Sequence, residues 1–280
     1  MITSPQLAAA RAGLLRGRTE VRQTLTNAAD VWNYLFPTAI FVVTMAFMKD
    51  AKVPGTSFSL GSRTLPSVVG MGVAFALVTL AMLLAVDRED GTLLRAKAIP
   101  NGMLGYLVGK IVLMSGMILV GQVTVLVPSL IMLDGITINW FTFAWVLVLG
   151  LVATIPIGAV VGSLFENPRN AGIVMIPMMG LAAISGIFYP ISAMPEWLQG
   201  VAQVFPVYWL GLGMRSAMLP DSLSVAEIGE SWRHLETIGV LGAWAVMGLL
   251  VAPMVMRRMA RRESGSNVAA RRERALQRVT

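Results

Sequence analysis

The chain has 280 residues, of which 56% are hydrophobic and only 13% charged, against roughly 25% charged in soluble domains. That balance describes an integral membrane protein, and the formal charge of +7 reads as positive charge at a membrane face, since the aromatics lie in apolar runs and no nucleic-acid motif is present. The lack of cysteine excludes disulfides, thiolate catalysis and Cys-based metal sites, and a lone histidine, His234, excludes His-rich ones.

At the N-terminus, Leu7, Leu14, Val21 and Leu25 recur at spacings of seven, seven and four, with Arg11, Arg18 and Arg22 on another face. This predicts an amphipathic helix over residues 1–30, lying along the inner membrane surface. Gly13 and Gly17 leave a disordered basic tail as the alternative. The stretch has no continuous apolar core, so a cleaved signal peptide is not expected.

Six apolar stretches follow, at 31–48, 65–86, 104–132, 140–165, 171–188 and 238–256. Each is read as a membrane span. With six spans the termini share a side with the second and fourth loops. That side carries sixteen Lys and Arg, and the other side five, so both termini are expected in the cytoplasm. The membrane domain then covers 31–256, with a cytoplasmic loop at 87–103, an external segment at 189–237 and a basic cytoplasmic tail at 257–280. The 87–103 loop opens on Asp87-Arg88-Glu89-Asp90, four ionisable side chains that cannot sit in hydrocarbon. Glycine pairs at Gly105 and Gly109, and at Gly158 and Gly162, allow close helix packing.

The spans hold little chemistry. Gly109-Lys110 is followed by Ile111 inside a span, so no phosphate-binding loop is formed. Ser185 lies in a span but His234 does not, and one histidine cannot build a zinc protease site. Lys110 is the only ionisable residue within a span and is near enough to the face to snorkel. The chain is therefore not expected to be an enzyme or to bind a cofactor. An ion-coupled multidrug transporter is the alternative reading; otherwise the energy for transport must come from a partner.

Two motifs carry a family resemblance. Asp87-Arg88-Glu89-Asp90-Gly91-Thr92-Leu93-Leu94, with Pro100 beyond, resembles the signature after the second span of type-2 ABC transporter permeases. Asp87 stands where the family usually has Glu. Ser185-Gly186-Ile187-Phe188-Tyr189-Pro190, then Met194-Pro195-Glu196-Trp197-Leu198 and Arg215, is similar to the same family's exit from the fifth span. The chain looks closest to the daunorubicin-resistance type of bacterial drug and lipid exporters.

The resemblance implies an all-α permease subunit in the bacterial inner membrane. It would export an amphiphilic drug, lipid or lipid-linked compound, paired with a second permease and two ATPase subunits that hold the ATP and Mg. The first motif would be a coupling helix seated on the ATPase, and the second would introduce short re-entrant helices before the last span. Lipids surround the spans, and Thr79, Met82, Met175, Met178 and Met179 are candidates to line the pathway.

The residues themselves predict a turn at Gly91 and a helix capped by Thr92. They also predict a solvated acidic patch of Asp87, Glu89 and Asp90, with Leu93 and Leu94 free to enter a partner's groove. Pro190 and Pro195 break the helix, and short helices are expected around 194–205 and 208–218. Trp197, Tyr208 and Trp209 suit an interfacial belt, and Arg215 is expected to face protein, headgroups or Glu196.

Overall fold

The computed structural model describes residues 5–52, 59–165, 170, 172–187, 190–262 and 266. Every helix or strand assigned among them is a helix, as an all-α membrane protein requires. Helix α1 (Pro5–Thr26) ends at Asn27, whose side-chain oxygen accepts from the Ala29 amide and starts α2 (Ala28–Phe47). Helices α3 (Leu60–Ala74) and α4 (Ala76–Glu89) make one rod through Phe75. The Phe75 amide donates to Met71 at 2.9 Å and its carbonyl accepts from Thr79 at 3.0 Å.

A turn leads to the short α5 (Thr92–Lys97), then to α6 (Gly102–Met132) and α7 (Trp140–Ser163). Next come α8 (Met175–Ile184), entered by a 3-10 turn at Gly172–Val174, then α9 (Glu196–Val204), α10 (Pro206–Met218) and α11 (His234–Arg262).

Five helical stretches are long and apolar enough to cross a bilayer: Ala28–Phe47, Leu60–Glu89, Gly102–Met132, Trp140–Ser163 and His234–Arg261. The span expected at 171–188 is shorter in its described part, an apolar helix over Gly172–Ile184. At 1.5 Å per residue that is about 20 Å, less than the roughly 30 Å of hydrocarbon. Within the bundle, 72% of the Leu60–Glu89 window is buried against 6% of α2. The α3–α4 rod is therefore the centre of the molecule and α2 rides on its outside.

Small residues set the closest approaches. A Cβ on Gly158 would lie 2.7 Å from the Leu77 carbonyl, and one on Gly162 2.8 Å from the Ala81 Cα, so α7 packs backbone to backbone on α4. The Gly105 and Gly109 pair meets α1 instead: Gly13 faces the Gly105 carbonyl, and Gly17 faces Gly109 and Val112. Further along, Val21 meets Gly116, so α1 and α6 run in the same direction.

The glycines that argued for a disordered tail are the docking face of an ordered helix packed lengthwise on the third span. Leu7, Leu14 and Leu25, the stripe expected to face the membrane, lie exposed on the protein surface.

Helix α10 is inserted between the second and fourth spans. Gly70 of α3 and Gly150 of α7 both make room for Leu210, and Gly213 of α10 receives Val146. Tyr208 and Trp209 are consequently buried, whereas Trp197 is 70% exposed. Of the three proposed belt residues, only Trp197 has the exposure a belt needs, because packing inside the bundle claims the other two rings.

Candidate functional site

The turn after α4 is shaped by Gly91, whose φ of 77° is open to glycine and strained for other residues. The Thr92 amide donates to Asp90 Oδ1 at 2.7 Å, so Asp90 supplies the helix-start hydrogen bond expected of Thr92. Helix α5 begins at Thr92 itself, whose hydroxyl oxygen accepts from the Arg95 guanidinium at 2.9 Å.

Asp87, Arg88 and Glu89 belong to the last turn of α4 and not to a loop. Asp87 and Arg88 are also buried, so of the expected solvated acidic patch Asp90 stays exposed and Glu89 half-buried while Asp87 turns inward. The Tyr106 hydroxyl donates to Asp87 Oδ2 at 2.6 Å, and Lys110 Nζ lies 2.9 Å from the same oxygen. Lys110 also reaches Glu20 of α1 at 3.3 Å, and Glu20 is held in turn by Arg16 at 2.7 Å. Lys110 therefore does not snorkel; two carboxylates of the chain itself neutralise its ammonium in place of open water.

The Arg88 guanidinium donates to the Ser163 and Phe165 carbonyls at 3.2 and 2.8 Å, closing the C-terminal end of α7. Leu93 and Ala96 of α5 are buried in the chain's own core, so Leu93 is not available to a partner, and Leu94 is half-buried.

What the turn presents outward is Asp90, Arg95, Lys97, Ile99, Pro100 and Asn101, with Ile99 62% exposed. Lys97 Nζ contacts the Arg261 carbonyl at 3.5 Å, so the end of α11 shares this end of the molecule with α1 and α5. Arg257, Arg258 and Arg261 are exposed beside it. The face around α5 thus carries more basic than acidic side chains and an apolar tip, and it is packed from behind against α4, α6 and α11.

The second motif builds the opposite end. Gly186 has φ 73°, Ser185 is buried with its hydroxyl donating to Ala182 at 2.8 Å, and the chain passes Pro190 into a 3-10 turn at Ile191–Ala193. Met194 is buried, and Pro195 stands at the start of α9, as the proline pattern predicted. Tyr189 lies outside the described residues.

Arg215 on α10 is 3% exposed, and its partner is Glu227, not Glu196. Nε and Nη2 donate to the two Glu227 oxygens at 2.7 and 3.1 Å, while Nη1 donates to Ser67 at 3.1 Å and to the Gly186 carbonyl at 3.4 Å. One guanidinium thus joins the second span, the exit of α8, α10 and the segment before α11. Nearby, burial first and the Glu227 charge second push the Tyr208 hydroxyl up to about 12.

Between these ends, a groove of about 310 Å³ opens among α2, α3, α6 and α8. Its walls include Tyr34, Phe41, Met71, Phe75, Met175 and Met179. Two of the proposed pathway residues, Met175 and Met179, line it. Met178 is instead packed in the core, Met82 is half-buried, and Thr79 is exposed with its hydroxyl bonded to Phe75 of its own helix.

Sequence reasoning missed Glu20, Tyr106, Ser67, Glu227 and Gln122, the last on the groove wall. The available signals were Lys110 and Arg215, because a cation at membrane depth requires partners. Nothing in linear spacing points from Lys110 to Asp87 or Glu20.

Among known families, the model described as ABC-2 family transporter protein matches residues 22–253. A search of curated protein sequences gives no match.

Proposed function

This chain belongs to the ABC-2 family of transporter proteins, and on that premise we propose that it is the membrane permease subunit of an ATP-driven exporter. A separate ATPase subunit, carrying the ATP and Mg, engages α5 and the chain to Pro100 from the cytoplasm. Two permeases and two ATPases form the working unit in the bacterial inner membrane, with both permease termini cytoplasmic. The cargo is an amphiphilic drug, lipid or lipid-linked compound.

The observation that carries this reading is the construction of the α5 turn. Leu93, Ala96, Asp87 and Arg88 fix it rigidly to the bundle, while Arg95, Lys97, Ile99 and Pro100 face outward. A push on the exposed tip is passed to the α3–α4 rod as a rigid-body displacement, since packed interiors deform little. The rod runs to Ser67, which Arg215 holds, so displacement at one end bears on the exit helices at the other.

The ion-coupled alternative draws no support from the described residues. Their carboxylates lie near helix ends, and at the α5 end buried Asp87 and half-buried Glu20 already share Lys110.

Reconstitution with a cognate ATPase tests the assignment. Ile99→Asp changes an exposed tip, and Gly91→Val forces a β-branched residue into left-handed backbone. Each should lower ATP-driven transport at least tenfold while the permease still purifies as a folded protein. Transport at wild-type rates in both variants would sink the coupling role.

A further inference from the structure

We propose that the groove among α2, α3, α6 and α8 selects amphiphiles whose apolar body carries a hydrogen-bond donor, a hydroxyl or an amide N–H, read by Gln122. The exporter assignment supplies the physiological setting, but the binding step belongs to this chain alone.

Gln122 lies twelve residues beyond Lys110 on α6 and ten before Met132, or about 18 and 15 Å along the axis. That is near the middle of a roughly 30 Å hydrocarbon layer, where a carboxamide is unfavourable unless its polar atoms are partnered. It is only 5% exposed. Its Nε2 donates to the Val69 carbonyl at 3.0 Å, which ties α6 to α3 and accounts for the nitrogen. Among the described residues, nothing donates to its Oε1.

The walls beside it are apolar, with Met71, Phe75, Ile118 and Val125 around the amide. Gly72 keeps that side open: a Cβ there would meet only Gln122 Nε2, at 3.4 Å. Gln122 lines the groove, and an amide oxygen there that no described group donates to defines the missing partner by chemistry. At about 310 Å³ the groove sits at the small end of ligand pockets, which run from about 300 to 1,000 Å³. It therefore takes one ring system or a stretch of chain, not a whole lipid. A donor at that depth replaces an unmade hydrogen bond, whereas the matching hydrocarbon leaves the acceptor dry.

The test uses the full chain in lipid nanodiscs and needs no ATPase. Displacement of a bound pyrene-labelled fatty acid is titrated with 12-hydroxystearate and with stearate. The hydroxylated chain should displace the label at a roughly fivefold to tenfold lower mole fraction, the worth of one net hydrogen bond. Gln122→Leu should erase that preference while stearate still binds, with Gln122→Met as the substitute if the leucine variant does not fold. Gly72→Leu, which fills the groove, should weaken both competitors with little change in thermal midpoint.

Equal displacement by the two chains in the wild-type protein overturns the proposal, as does a preference that survives at position 122 without the amide. Retained selectivity with no ATP-driven transport counts against the exporter assignment and leaves the site standing. ATP-driven transport by a wild-type protein that shows no preference between the two chains does the reverse.

Discussion

The two ends of the α3–α4 rod both carry buried ion pairs, built on different plans. Ser67 and Asp87 mark them, twenty residues and so about 30 Å apart. At the Asp87 end the load is shared. Lys110 meets two carboxylates, Tyr106 donates to one of them, Arg16 steadies the other, and Arg88 separately closes α7. At the Ser67 end one guanidinium holds the segments of the junction together, with Glu227 as its one carboxylate among the described residues. A shared network tolerates the loss of a member, while a single clamp does not. A movable exit is better served by the single clamp and a force-bearing anchor by the shared network.

Removing the clamp is expected to have the largest effect. Arg215→Leu leaves Glu227 buried without its cation, which costs about 3–5 kcal/mol by analogy with broken buried pairs. Thermal unfolding in detergent should show it as a drop of many degrees, larger than for any single change at the Asp87 end. If Arg215→Leu melts like the wild type, the contrast between the two ends collapses.

Lys110→Met should cost somewhat less, about 2–4 kcal/mol, because Tyr106 still donates to Asp87 and Arg16 still pairs with Glu20. The double variant Lys110→Met with Asp87→Asn should recover part of the loss, since a neutral amide is cheaper to bury than an unpaired carboxylate. Failure of the second change to recover any stability would mean that Asp87 and Lys110 do not act as a pair.

The smallest effect is expected from Gly13→Leu. It drives α1 off the Gly105 backbone and should cost about 1–3 kcal/mol, confined to that helix. Hydrogen exchange should quicken over residues 5–26 while the spans stay protected. Exchange that quickens across α4 and α5 as well would show that Glu20 is a larger part of the anchor than the distances indicate.

Much of this architecture could be read from the chain before any coordinates. Apolar length located the spans, Pro190 and Pro195 located the break before α9, and Gly91 located the sharp turn. The α9 and α10 helices were also foreseen from their periodicity and prolines. The errors cluster where a charged or aromatic residue had to be assigned a side. Asp87 and Arg88 were assigned to water because four adjacent charges cannot enter lipid, but protein is a third environment. A helix turns 100° per residue, so adjacent charges point different ways: Asp87 is turned toward Lys110 and Arg88 toward the end of α7, while Asp90 stays exposed just beyond the helix. Tyr208 and Trp209 were assigned to the interface for a similar reason, and the insertion of α10 between α3 and α7 buried them.

The sequence by itself determined that the chain lives in a membrane, how many apolar segments it has, and where they break. Those properties follow from local terms, the transfer of apolar length out of water and the backbone limits of proline and glycine. Only the tertiary structure decided which side chains neutralise Lys110 and Arg215, that α1 docks through Gly13 and Gly17, and that Gln122 looks into a groove. Those outcomes depend on which faces of distant helices meet, and a pair such as Glu20 and Lys110, ninety residues apart, leaves no local trace in the chain.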